Sequence, residues 1–69
     1  MIEEIFATRL KELRIEKSLS QNELGLKVGV NQRKISKLET MLLAPSLRII
    51  VSVAQFFEVS ADYLLGLED

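Results

Sequence analysis

Gln32, Arg33, Ser36 and Lys37 lie within one short stretch, and all four carry hydrogen-bond donors. At helical spacing they fall on the side opposite Ile35 and Leu38, with Val30 also turned inward. Amide, guanidinium, hydroxyl and ammonium groups on one free helical face suit the major groove of duplex DNA. There each base pair offers its own pattern of donors and acceptors.

A short helix must be held to do such work, and the residues before it supply the support. Ser20 and Glu23 have the spacing of a capping box, and Leu19 with Leu24 fits a hydrophobic staple. A helix therefore starts at Ser20. Gly29 ends it, as the residue best able to take a positive φ. Asn31 caps the helix that follows, which runs to about Glu39. A carboxylate at that end opposes the helix dipole, so Glu39 needs a cationic partner, and Arg14 is the candidate.

The flanking chain reads as helix throughout. Phe6, Leu10 and Leu13 repeat at helical spacing between Arg9, Lys11, Glu12 and Arg14, giving a first helix over about residues 3–17. Ser18 and Leu19 break it. Thr40 to Pro45 forms a loop. Ser46 caps a fourth helix with Leu47, Ile50, Ala54 and Phe57 on its core face. Glu58 and Val59 break the chain again. Ser60 caps a short fifth helix with Asp62 in its first turn and Leu64 and Leu65 behind, and Val59 with Leu64 repeats the staple. Gly66 stops it. Strand alternation, repeats and linkers are absent from the sequence. The reading is an all-α, compact five-helix domain spanning residues 1–69.

Composition narrows the chemistry. The chain has 69 residues, no cysteine and no histidine, which excludes disulfides, thiolate or finger-type zinc sites and histidine-based catalysis. No phosphate-cradling glycine loop or converging carboxylate pair supports an enzyme, and no metal, cofactor or small-molecule ligand is expected. No apolar run approaches the ~20 residues of a membrane span. The opening Met1-Ile2-Glu3-Glu4 lacks the features of a signal peptide. A cytoplasmic protein is the expectation. The formal net charge is −1, but all 9 Lys and Arg fall in residues 1–48, which carry +3, while residues 49–69 carry −4. Local charge governs contact with phosphate, and the basic share surrounds the donor-rich helix.

Several motifs stand in fixed order: Ser20-Gln21-x-Glu23-Leu24, Gly29-Val30, Ile35-Ser36-x-x-Glu39, Pro45-Ser46-Leu47, and the run from Glu58 to Gly66. Together they resemble the phage-repressor and Cro-type (XRE-like) helix-turn-helix family, from about Phe6 to Gly66. The resemblance implies a lambda-repressor-like domain in which helices two and three form the helix-turn-helix. It also implies a two-fold dimer and a third helix, about residues 31–39, that reads an operator, with repression as the expected outcome. Gln32, Arg33 and Lys37 match base-contacting positions. Gln21, Asn31, Ser36 and Lys34 are the expected phosphate contacts, and Arg14 with Glu39 matches a structural ion pair. The chemistry agrees with these roles. Arg33 can bond guanine O6 and N7 together, Gln32 can bond adenine N6 and N7, and each such pair contributes about 1–3 kcal/mol of discrimination. Gln21 lies at a helix start, where free N–H groups favour phosphate.

Three positions depart from the family pattern. Met41 stands where glycine is usual, so the chain must change path or hold a side chain under strain. Leu42-Leu43-Ala44 is apolar where many relatives carry Lys or Arg. Gly25 replaces alanine at a close approach between helices two and three. Ile15, Leu26, Met41, Leu42, Leu43, Ile49 and Val53 exceed what a small core should hold, which points to a partner surface. The family's dimers meet near helix five, so Phe56, Val59, Ala61, Tyr63 and Leu67 are the expected two-fold contact, unless Phe56 and Tyr63 complete the core. The partners expected are therefore double-stranded DNA with a palindromic operator and a second copy of the chain. The alternative is a protein-interaction module on the same fold, antitoxin-like or an anti-regulator.

Overall fold

Every helix after the first begins at its capping residue. Ser20, Asn31, Ser46 and Ser60 all hold extended backbone, and their side chains accept from the N–H groups of Glu23, Lys34, Ile49 and Tyr63 respectively. Each cap satisfies a donor that the helix itself leaves unpaired. The computed structural model describes residues 2–68. It places five helices in order, α1 (Ile2–Glu16), α2 (Gln21–Val28), α3 (Gln32–Glu39), α4 (Leu47–Phe57) and α5 (Ala61–Leu65), and no strand among the described residues. The all-α, five-helix expectation holds, with α1 shifted by one residue toward the start.

One core joins them. Phe6 and Leu10 of α1, Leu24 and Val28 of α2, Ile35 and Leu38 of α3, Ile49, Val53 and Phe57 of α4 and Leu64 of α5 pack together. α3 packs on α1 and α2; α5 packs on α1 and α4. The donor-rich helix therefore lies against two others and turns only its polar side to solvent.

The face of α4 differs from the sequence reading. Leu47, expected inside, is 77% exposed, while Ile49 and Val53, expected to be surplus, are buried. Ile50 and Ala54 are half-buried at the margin. The inward stripe is 49, 53 and 57, spaced four apart, and Phe57 sets its phase. Leu47 begins the helix ahead of that stripe. Leu43, also counted as surplus, packs against the core from the loop. What remains outside is Ile15, Leu26, Met41 and Leu42, joined by Leu47, Val51, Ile2 and Leu67.

Three non-glycine residues take the left-handed conformation: Ser18 at φ 57°, Met41 at φ 66° and Glu58 at φ 57°. Each terminates a helix as glycine does at Gly29. Past Met41 the Leu42 N–H donates back to the Lys37 carbonyl at 2.9 Å, closing α3 in the manner of a Schellman turn. The chain keeps the usual path at Met41 and accepts the strain of a side chain there, costing about 1–2 kcal/mol.

Candidate nucleic-acid interface

The turn between α2 and α3 is held by backbone. The Gly29 and Val30 N–H groups both donate to the Gly25 carbonyl, at 2.8 and 3.0 Å. Gly25 itself is buried, and a Cβ added there would sit 2.4 Å from the Val30 carbonyl oxygen. The residue at position 25 is thus as small as the approach of α3 to α2 permits. Alanine at this place would require the two helices to part.

α3 presents its polar side freely. Gln32, Arg33, Lys34 and Lys37 are exposed and Ser36 is half-buried, while Ile35 and Leu38 opposite them are buried. Lys34, an expected phosphate contact, lies on the exposed side. Asn31 spends its side-chain oxygen on the Lys34 N–H at 2.8 Å, which leaves its amide nitrogen for an outside acceptor. No part of the described chain covers this face.

Beneath it lies a polar brace. Arg14 Nε donates to Glu39 Oε2 at 2.6 Å and Nη2 donates to Oε1 at 3.0 Å, a two-pronged pair whose side chains are 13% and 3% exposed. Arg14 Nη1 also donates to the Leu19 carbonyl at 2.9 Å, tying the start of the helix-turn-helix to the same point. Donating to Glu39 raises the Arg14 pKa above its ordinary value, against the opposing effect of burial. The pair anchors the end of α3 to α1 and offsets the carboxylate at the C-terminal dipole.

Gln21 sits at the first position of α2, half-buried, and donates from Nε2 to Glu39 Oε1 at 3.2 Å. From sequence Gln21 is an expected phosphate contact and Glu39 needs a cation, and nothing there joins the two. Their separation along the chain hides the contact; only the packing of α2 against α3 creates it. At the same helix start the Ser20 N–H donates to Glu23 Oε1 at 2.8 Å and the Glu23 N–H donates to Ser20 Oγ at 3.0 Å. The bond from the Ser20 backbone N–H, with the Ser20 hydroxyl adding to it, holds the Glu23 carboxyl below its ordinary pKa. The N–H groups of Gln21 and Asn22 have no intrahelical acceptor.

Residues of the expected two-fold contact divide into two groups. Phe56, Val59 and Tyr63 are half-buried and pack on the core. Phe56 meets Phe57 edge-on with centroids 4.9 Å apart. The Arg9 guanidinium lies 4.3 Å from the Tyr63 ring centre and donates to the Tyr63 carbonyl, locking α1 to α5. Ala61 and Leu67 are exposed.

Two short helices set by a tight turn, the second with a free polar face, define a helix-turn-helix module. Comparison with known proteins agrees. A helix-turn-helix family model matches residues 10–64. The chain is 32% identical over 65 residues to YobD of Bacillus subtilis (strain 168), an uncharacterized HTH-type transcriptional regulator. That match covers 94% of this chain but 58% of the relative's length. An uncharacterized HTH-type transcriptional regulator of Archaeoglobus fulgidus is 36% identical over 62 residues, covering 90% of this chain and 89% of its own. Among solved structures, the P22 c2 repressor protein in complex with a synthetic operator superposes with a TM-score of 0.84 at 27% identity, covering 91% of this chain and 96% of that one. The hypothetical transcription factor NHTF from Neisseria superposes with a TM-score of 0.86 at 26% identity, covering 94% and 75%. The chain belongs to the helix-turn-helix family of Cro/C1-type regulators. The curated relatives it matches are named transcriptional regulators, and this chain spans a little over half of the first of them.

Proposed function

We propose that this protein binds duplex DNA in a sequence-specific manner as a two-fold dimer in the cytoplasm and represses transcription. The observation that carries the reading is the exposed row of Gln32, Arg33 and Lys37 above the half-buried Arg14–Glu39 pair. Arg33 reads guanine through O6 and N7, Gln32 reads adenine through N6 and N7, and Lys37 reaches a guanine or a phosphate one turn on. Gln21, Asn31, Ser36 and Lys34 meet the backbone on either side. The likeness to a repressor bound to its operator supports this use of α3. Two copies joined through Ala61 and Leu67, with Phe56, Val59 and Tyr63 at the margin, would set two α3 helices about 34 Å apart over a palindromic site.

Fluorescence anisotropy against duplex DNA over a range of salt tests the reading, with sedimentation at micromolar concentration for the dimer. Binding that falls steeply with salt and a dimeric species are expected. Failure to bind any duplex at low salt would favour the second reading, a module that docks another protein. The apolar residues that remain outside favour that alternative, notably Leu42 and Leu47, as does an open groove of about 440 Å³ lined by Ile2, Glu3, Ala44, Pro45 and Ile50.

A further inference from the structure

The Arg14–Glu39 pair alone would explain why a carboxylate can be buried at the end of α3. It does not explain the third donor. Glu39 Oε1 takes both Arg14 Nη2 and Gln21 Nε2, so one oxygen links α1, α2 and α3. A glutamine side chain free in solution turns about its rotatable bonds and offers its carbonyl as readily as its amide nitrogen. A carboxylate accepts only, and therefore selects the nitrogen end. One N–H goes to Glu39; the second on the same nitrogen has no acceptor among the described residues. It lies at the start of α2, where the Gln21 and Asn22 backbone N–H groups are also unpaired and where the dipole favours an anion.

We propose that Glu39 is a positioning residue for phosphate binding: it fixes the Gln21 amide so that its second N–H joins the first free N–H groups of α2 on one DNA phosphate. The inference rests on the DNA-binding reading above. Glu39 touches no DNA itself. Arg14 offsets its charge, so the carboxylate can stand behind the site without repelling the phosphate. The same carboxylate thus anchors the base-reading helix and aims the phosphate contact, which ties the angle of α3 to the register of the protein on the backbone.

A double-mutant cycle tests this. Affinity for one duplex of fixed sequence is measured for the unaltered protein, Gln21→Met, Glu39→Gln and the double variant, with the thermal midpoint of each. Gln21→Met should weaken binding roughly tenfold, as the loss of a hydrogen bond to a charged group would. Glu39→Gln should weaken it several-fold when Gln21 is present and leave it unchanged when Gln21 is Met. The same factor in both backgrounds would mean that Glu39 acts on the fold alone and overturns the inference. Absence of binding by the unaltered protein would instead overturn the DNA reading, and the inference with it. Should Glu39→Gln fail to fold, NMR of the Gln21 side-chain amide in the unaltered protein decides. A restrained amide is expected, and a freely averaging one contradicts the proposal.

Discussion

The half of the molecule built from the end of α1, α2 and α3 is held differently from the half built from α4 and α5. In the first, directed polar bonds cross between elements: Arg14 to Glu39 and Leu19, Gln21 to Glu39, and two N–H groups onto the Gly25 carbonyl. In the second, apolar side chains dominate. Among the described residues the side-chain polar link from α5 to another helix is Arg9 on Tyr63, and the serine caps are local. Apolar burial supplies stability without direction. Hydrogen bonds have preferred angles. A surface that must match base edges needs its helix fixed in angle, and the polar bonds lie beneath that surface. The acidic half carries no base after Arg48 and has no such requirement.

The difference can be broken at its strongest point. Arg14→Ala leaves the Glu39 carboxylate buried without its ion partner and should cost about 3–5 kcal/mol, read by chemical or thermal unfolding. A loss below about 1 kcal/mol, the scale of an exposed pair, would show that the brace is ordinary surface. Within α4 the contrast is between neighbours. Ile49→Ala should cost about 2–5 kcal/mol by emptying core volume. Leu47→Ala should cost no more than about 0.5 kcal/mol because its side chain already faces water. Equal losses would put the inward stripe of α4 in the wrong phase.

Gly25→Ala tests the turn. Its Cβ has no room against the Val30 carbonyl, so the substitution should cost about 1–3 kcal/mol as α2 and α3 part. Alanine's better helix propensity would otherwise favour it by up to ~1 kcal/mol, so a gain in stability would contradict the close approach. The smallest effect belongs to Glu23. Its carboxyl is held below the ordinary value of 4.5 by bonds from Ser20. A depressed folded pKa gives a contribution present above the ordinary value and lost as pH falls through the depressed one. Stability measured from pH 5 downward should therefore decline less steeply in Glu23→Gln than in the unaltered chain. Identical profiles would show that the capping box carries no charge dependence.

Much of this architecture was legible from residues alone, because local signals agree with one another. Ser20 with Glu23, Asn31, Ser46, Ser60, Gly29 and Gly66 each have one conformational role, and each takes it. The exposure of Gln32, Arg33 and Lys37 followed from the spacing of Ile35 and Leu38. The phase of α4 and the contact of α2 with the end of α3 were not legible. In α4 eight of the eleven positions are apolar, so neighbouring stripes compete to face inward, and Leu47 was exchanged for Ile49 and Val53. The bond from Gln21 to Glu39 depends on how two helices cross, which no local pattern encodes. At Met41 the sequence left two outcomes open, a new path or a strained residue, and the backbone takes the second.

That the exposed side of α3 reads bases is open to a direct test. In-vitro selection from a pool of random duplexes, run in parallel with the unaltered protein and with Arg33→Ala, measures base preference with no site chosen in advance. The unaltered protein should select a palindromic sequence with half-sites one helical turn apart. Arg33→Ala should lose preference at one guanine in each half while the other positions persist. Selection of no common sequence, or of the same sequence with the guanine retained in Arg33→Ala, would contradict the assignment of this face.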